Sequence, residues 1–188
     1  MRRPLRRRIA PGAAERLSRQ VSGASILVHA TSLLLGAAAA PFGGPHDIAV
    51  LLLGASGSGK SDLALRLIAA GARLVSDDQT SLSVEQGRLV ARAPERLTGL
   101  LEIRGVGIVA VGAAQSGPIA LVVKLQSEPP DRLPEPDVYN PPGLQLADPA
   151  PVIRLDPFES SAAAKVAAAA CAAALGRFVA GAGAGSER

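Results

Sequence analysis

The sequence predicts an α/β domain with a mixed β-sheet and a C-terminal Ala-rich helix, on three observations. A short apolar run, Asp47–Leu53, is followed by a glycine-rich turn and an amphipathic stretch, the order strand, loop, helix. Several short segments between Thr80 and Leu125 read as strands separated by turn residues. Ser160–Val179 is Ala-rich over helical length. The 188 residues suit one ordinary domain with a tail, and 48% apolar residues suffice for one core.

Residues 1–23 carry seven Arg against one Glu, so the formal charge of +4 is misleading. The rest of the chain is slightly acidic, with 13 basic and 15 acidic side chains, which disfavours a nucleic-acid-binding core. The Arg cluster followed by the apolar run Ala24–Ala40 has the outline of a signal peptide. Its basic region is too long, however, and His29, Thr31 and Ser32 interrupt the apolar run. Residues 1–23 therefore read as a solvated, disordered tail, 24–180 as the domain and 181–188 as a frayed end. No segment has the length of apolar sequence that a membrane-spanning helix needs. The single cysteine, Cys171, excludes an intramolecular disulfide and a cysteine-built zinc site, and fits a reducing compartment such as the cytoplasm.

Taken in order, Ser25–Leu35 reads as one strand and Gly36–Pro45 as a loop or insertion. Asp47–Leu53 has the unbroken apolar character of a strand buried on both faces. Asp62–Ala70 is a helix with Leu63, Leu67 and Ala70 on one face, closed by Gly71. Leu74-Val75 opens a strand that ends at Asp77-Asp78, so a parallel βαβ unit is expected. Strands follow at Thr80–Val84, Arg88–Ala91, Leu100–Ile103, Ile108–Val111 and Ile119–Leu125, with turns at Gly87 and Gly117-Pro118. The proline-rich Pro129–Pro151 is an extended connection. Ser160 or Ser161 is the expected N-cap of the last helix, whose low bulk suits close packing against another element or subunit.

The strongest chemical signal is Gly54-Ala55-Ser56-Gly57-Ser58-Gly59-Lys60-Ser61, which fits G-x-x-x-x-G-K-[ST] and lies between a strand and a helix. Glycines let backbone N–H groups converge on phosphate oxygens, and the helix starting near Lys60 turns its positive end to the same place. Lys60 supplies a full charge to the β- and γ-phosphates, and the Ser61 hydroxyl can ligate Mg²⁺. The pattern identifies a P-loop nucleotide site, not a reaction. Asp77 and Asp78 at the end of the next strand can divide two tasks. One can hold the metal or its waters, and the other can take the proton of an attacking hydroxyl. Glu102 and Arg104 lie on one side of a short strand that ends in a glycine-rich bend.

Val28-His29-Ala30, Gly54–Ser61, Leu63-Ala64-Leu65-Arg66-Leu67, Gly71–Asp78 and Leu101–Ile108 together resemble the catalytic domain of HPr kinase/phosphorylase. Asp131-Arg132-Leu133 is a looser match. The family acts on a serine of the phosphocarrier protein HPr. The chain looks like its short proteobacterial form, which lacks the large N-terminal domain. The resemblance implies ATP- and Mg²⁺-dependent phosphoryl transfer to a protein serine by a cytoplasmic homo-oligomer, a hexamer in the family. It implies an HPr-like partner, with no nucleic acid or membrane involved.

By the same resemblance Asp78 is the general base and Asp77 its metal-side neighbour, while Lys60 stabilises the transferring charge. Ser61 and Glu102 match the Mg²⁺ positions, His29 the active-site histidine and Arg132 a further catalytic arginine. Asp78 in acid form would serve when inorganic phosphate attacks phosphoserine. The interval from His29 to Gly54 is longer than the family's, which leaves His46 as an alternative. The family's basic, glycine-containing loop is not recognisable; Ala150–Arg154 stands near its place, so kinase activity is expected to exceed phosphorolysis. Two other functions stay open: a P-loop nucleotide sensor or scaffold, and a related kinase with another acceptor.

Overall fold

A computed structural model describes residues 24–94 and 99–181; the segment 1–23 and all but the first residue of 181–188, read as disordered, lie outside the described residues. The chain runs β1 (Ser25–Val28), β2 (Ala30–Leu34), a 3-10 helix (Gly36–Phe42), β3 (Ala49–Leu53), α1 (Lys60–Ala69), β4 (Arg73–Ser76), β5 (Thr80–Glu85) and β6 (Arg88–Arg92). It continues through β7 (Leu100–Ile103), β8 (Gly107–Ala110), β9 (Ser116–Leu125), β10 (Val152–Leu155) and α2 (Ala162–Ala174). Eight strands form one mixed sheet in the order β1-β5-β6-β9-β3-β2-β4, with β10 paired to β9; β7 and β8 form a separate hairpin. The expected fold class holds.

β3 is buried on both faces because the sheet curls. Val50 and Leu52 face a cluster shared with Leu63 and Leu67 of α1 and Val166 and Ala170 of α2. Ala49 and Leu51 face the other way, onto Leu82, Leu89 and Ala91 of β5 and β6. An alternating strand needs a polar face toward water; this one has none, hence its unbroken apolar sequence.

Several expectations are corrected. Ser25–Leu35 is two strands, because β1 pairs with β5 while β2 pairs with β3 and β4. The chain must pass from one half of the curled sheet to the other, and it does so at His29. β3 and β4 are parallel but not adjacent, since β2 lies antiparallel between them. Gly36–Pro45 is largely a 3-10 helix, whose Ala38 and Ala39 pack with α2. Ala70 is the exposed C-cap of α1; Ala64 joins Leu63 and Leu67 on the buried face instead.

Gly117-Pro118 is no turn but part of β9, opposite Ala91 and Val90, where that strand exchanges its antiparallel partner β6 for parallel neighbours. A side chain at Gly117 would stand 2.6 Å from Leu34 Cδ1 and 3.1 Å from Ala49 Cβ, a close approach that favours glycine. Part of the stretch near which a basic loop was sought is β10, parallel to β9. The last helix ends at Ala174, short of Val179, with Ser161 at its N-cap position. Its small residues pack within the chain, on β9 and the 3-10 helix. There Cys171 is buried and its thiol donates to Ala39 O at 3.6 Å; burial pushes that thiol's pKa up.

The proline-rich connection has no helix, as expected, and Asp137 ties it to the sheet. Arg154 of β10 donates to Asp137 Oδ2 at 2.7 Å and Lys124 of β9 at 3.4 Å. Burial works to raise the Asp137 pKa, but the Arg154 hydrogen bond and the Lys124 charge outweigh it and hold the carboxyl below its ordinary value. A depressed folded-state pKa stabilises above the unfolded value, about 3.9, and the gain is lost as pH falls through the folded value. Asp137→Asn is therefore expected to lower stability at neutral pH and to match the wild type in strong acid, as denaturant titrations at several pH values will show.

Candidate active site

The two chain passages between the halves of the sheet run side by side. Ala30 N donates to Asp78 O at 3.2 Å, and Thr80 Oγ1 donates to Ala30 O at 3.0 Å. One passage carries His29, the other Asp77 and Asp78, and both open beside the loop that leaves β3. Sequence spacing could not show this, because β2 enters from an earlier part of the chain.

The P-loop turns through Gly57 and Gly59, whose φ angles of 79° and 90° are left-handed and suit glycine. A side chain at Gly54 would lie 2.4 Å from the buried Ser58 Oγ, so the loop closes on itself only with glycine there. At the start of α1 the first-turn amides lack intrahelical partners. Lys60 is only 6% exposed, and its Nζ donates to Gly54 O (2.9 Å), Ala55 O (3.0 Å) and His29 Nε2 (3.2 Å). An ammonium has no lone pair, so Nε2 accepts and the neutral ring carries its proton on Nδ1. That nitrogen stands 3.5 Å from Asp78 Oδ1. His29 thus bridges the lysine and the exposed carboxylate.

The two aspartates differ sharply. Asp77 is buried; Thr31 Oγ1 donates to its Oδ1 at 2.7 Å, Ser61 Oγ lies 3.5 Å from the same oxygen, and Glu102 N donates to Oδ2 at 3.3 Å. Asp78 has a side chain 75% exposed and a left-handed φ of 65°, and it faces the cavity. Thr31→Val removes the shortest of the Asp77 contacts. It is expected to cost about 1.5–3 kcal/mol of stability, the worth of a hydrogen bond to a charged group, measured by chemical denaturation.

The cavity, about 360 Å³, is lined by the P-loop, Asp78, Leu65 of α1, Glu102 to Arg104 of the hairpin, and Phe158. Glu102 and Arg104 are both exposed there, and no ion pair joins them. The residues fit a nucleotide's phosphates, since glycines, free amides and one lysine converge. They also fit Mg²⁺, because the available ligands are hard oxygens: the Ser61 hydroxyl and the Asp77 and Glu102 carboxylates. Among the described residues no cluster of three or more His, Cys, Asp or Glu could hold a metal by itself. Mg²⁺ sites completed by substrate phosphates have this sparse protein contribution.

His29, Lys60, Ser61, Asp77, Asp78 and Glu102 are thus brought together. His46 is not among them: its Nδ1 donates to Gly36 O at 3.0 Å, at the amino end of β3, away from the loop. Arg132 is exposed on the connection after β9 and does not line the cavity. Thr31 and Phe158 were missed. Thr31 has a faint signal in its two-residue spacing from His29 along a strand; Phe158 has none in the motif.

Residues 45–132 match the family model of the HPr Serine kinase C-terminal domain. The match covers 88 of the 188 residues. An HPr kinase/phosphorylase of Clostridium perfringens is 47% identical over 68 residues, 36% of this chain and 22% of that protein. One of Halalkalibacterium halodurans is 46% identical over 89 residues, 43% of this chain and 29% of that protein. The match spans less than a third of either relative's length. A solved structure, the Hpr(Ser) kinase/phosphatase from Coxiella burnetii, shares the HPr kinase fold with a TM-score of 0.60. It is 24% identical, and the superposition covers 76% of this chain and 91% of that one.

Proposed function

We propose that the domain is an ATP- and Mg²⁺-dependent kinase that phosphorylates a serine of HPr or a paralogous phosphocarrier. The observation that carries this is the division of labour between Asp77, buried beside Ser61, and Asp78, exposed beside His29. A nucleotide binder needs the first arrangement alone; the second supplies a base for an incoming hydroxyl. ATP would supply the phosphoryl group, and Mg²⁺ at Ser61, Asp77 and Glu102 would neutralise charge on its phosphates.

The acceptor serine would approach from the open side of the cavity; its proton would pass to Asp78 as its oxygen bonds to the γ-phosphorus and the bond from that phosphorus to the β-phosphate oxygen breaks, with ADP as the leaving group. His29 orients that carboxylate through Nδ1–H, and Lys60 meets the charge on the transferring group. Arg132 enters this reading on the resemblance alone. The resemblance also supports a homo-oligomeric, cytoplasmic enzyme; among the described residues no helix is long and apolar enough to cross a membrane.

The test is incubation of the full chain with γ-labelled ATP, Mg²⁺ and an HPr-like protein. Label in the acceptor is expected, and its removal by added inorganic phosphate is expected to be slower than its addition. ATP bound without any label transferred would leave a nucleotide sensor.

A further inference from the structure

The chain has only three Phe and one Tyr. Phe158 is 66% exposed, yet the backbone beneath it is held from several sides. Asp156 Oδ1 accepts from Phe158 N at 2.9 Å. Arg66 of α1 donates to Glu159 O at 3.1 Å and also to Pro157 O. Pro157 is buried, and its Cγ would lie 2.9 Å from a side chain at Gly59. A turn fastened this well exposes its aromatic ring at a net cost in solvation, unless something covers the ring.

What the ring faces decides the occupant. It lines the same cavity as the P-loop and Leu65, and its Cζ stands 3.0 Å from where a side chain at Gly59 would begin, so the ring edges the phosphate-binding loop. A nucleotide whose phosphates lie on the P-loop must place its base beyond them. The exposed Val106 and Ile108 of the hairpin, which would extend an apolar surface for a protein partner, do not line the cavity.

We propose that Phe158 is the stacking platform for the base of the bound nucleotide, with Leu65 as a second apolar contact. This rests on the nucleotide site proposed above.

Inorganic triphosphate has the phosphates without the base, so it separates the two readings. Calorimetric titration of Phe158→Ala with Mg²⁺ present should show ATP affinity reduced on the order of tenfold to a hundredfold, and triphosphate affinity unchanged. Because the chain has no Trp, Phe158→Trp gives it a single tryptophan, which can be excited selectively at the red edge, away from the one Tyr. It should keep ATP affinity and be quenched by ATP but not by triphosphate. Equal losses for both ligands, or no loss for either, would overturn the platform while leaving the phosphate site standing. A raised KM for the acceptor with ATP affinity unchanged would overturn it in favour of protein docking. Wild-type protein that binds neither ligand would overturn the nucleotide site and the platform together.

Discussion

Lys60→Ala is expected to remove phosphotransfer to the limit of an ordinary assay and to weaken ATP binding. The buried ammonium is the one full positive charge within the P-loop, and it also ties the loop together through Gly54 O and Ala55 O. Losing a single preorganised donor at a site of developing charge costs about 10²–10³-fold in turnover. Here a full charge goes, and two carbonyls and His29 Nε2 lose their donor with it. The loss should therefore exceed that range. Turnover of labelled ATP and calorimetric binding measure the two effects separately, and full activity in this variant would end the kinase reading.

Asp78→Asn should leave fold and ATP affinity intact while lowering turnover about 10²–10⁴-fold, the worth of a positioned general base. The fold is safe because the side chain is exposed and because asparagine tolerates the left-handed backbone of this position. What changes is the ability to take a proton. Asp77→Asn should behave differently. It replaces the acceptor of Thr31 Oγ1 and Glu102 N in a buried setting, so stability and Mg²⁺ dependence should both suffer. The opposite pattern in the two variants would reverse the roles of the pair.

Much of the local structure was legible. β3, the P-loop and α1 follow one another in sequence, and each is set by residues within a few positions. The motif therefore located Lys60 and Ser61 and pointed to Asp77 and Asp78. Pairing was not legible in the same way. Nothing near His29 says that β1 belongs to β5 and β2 to β3, so the two strands merged into one. For the same reason β2 was not expected between β3 and β4, although that placement brings Thr31 to Asp77.

Gly117-Pro118 has the composition of a turn, yet it lies in a strand, where the glycine answers the close approach of Leu34 and Ala49 and not a reversal of the chain. Phe158 reaches the cavity on a turn that Arg66 helps to hold through Pro157 O, a contact across 91 residues of chain. No local pattern encodes such a contact.

The most direct measurement is tandem mass spectrometry of an HPr-like acceptor after incubation with the full chain, ATP and Mg²⁺. The expected result is phosphate on one serine, ADP formed in equal amount, and neither product with Asp78→Asn on the same timescale. ATP consumed with no phosphoserine, or the same phosphoserine formed at wild-type rate by Asp78→Asn, would contradict transfer through this cavity.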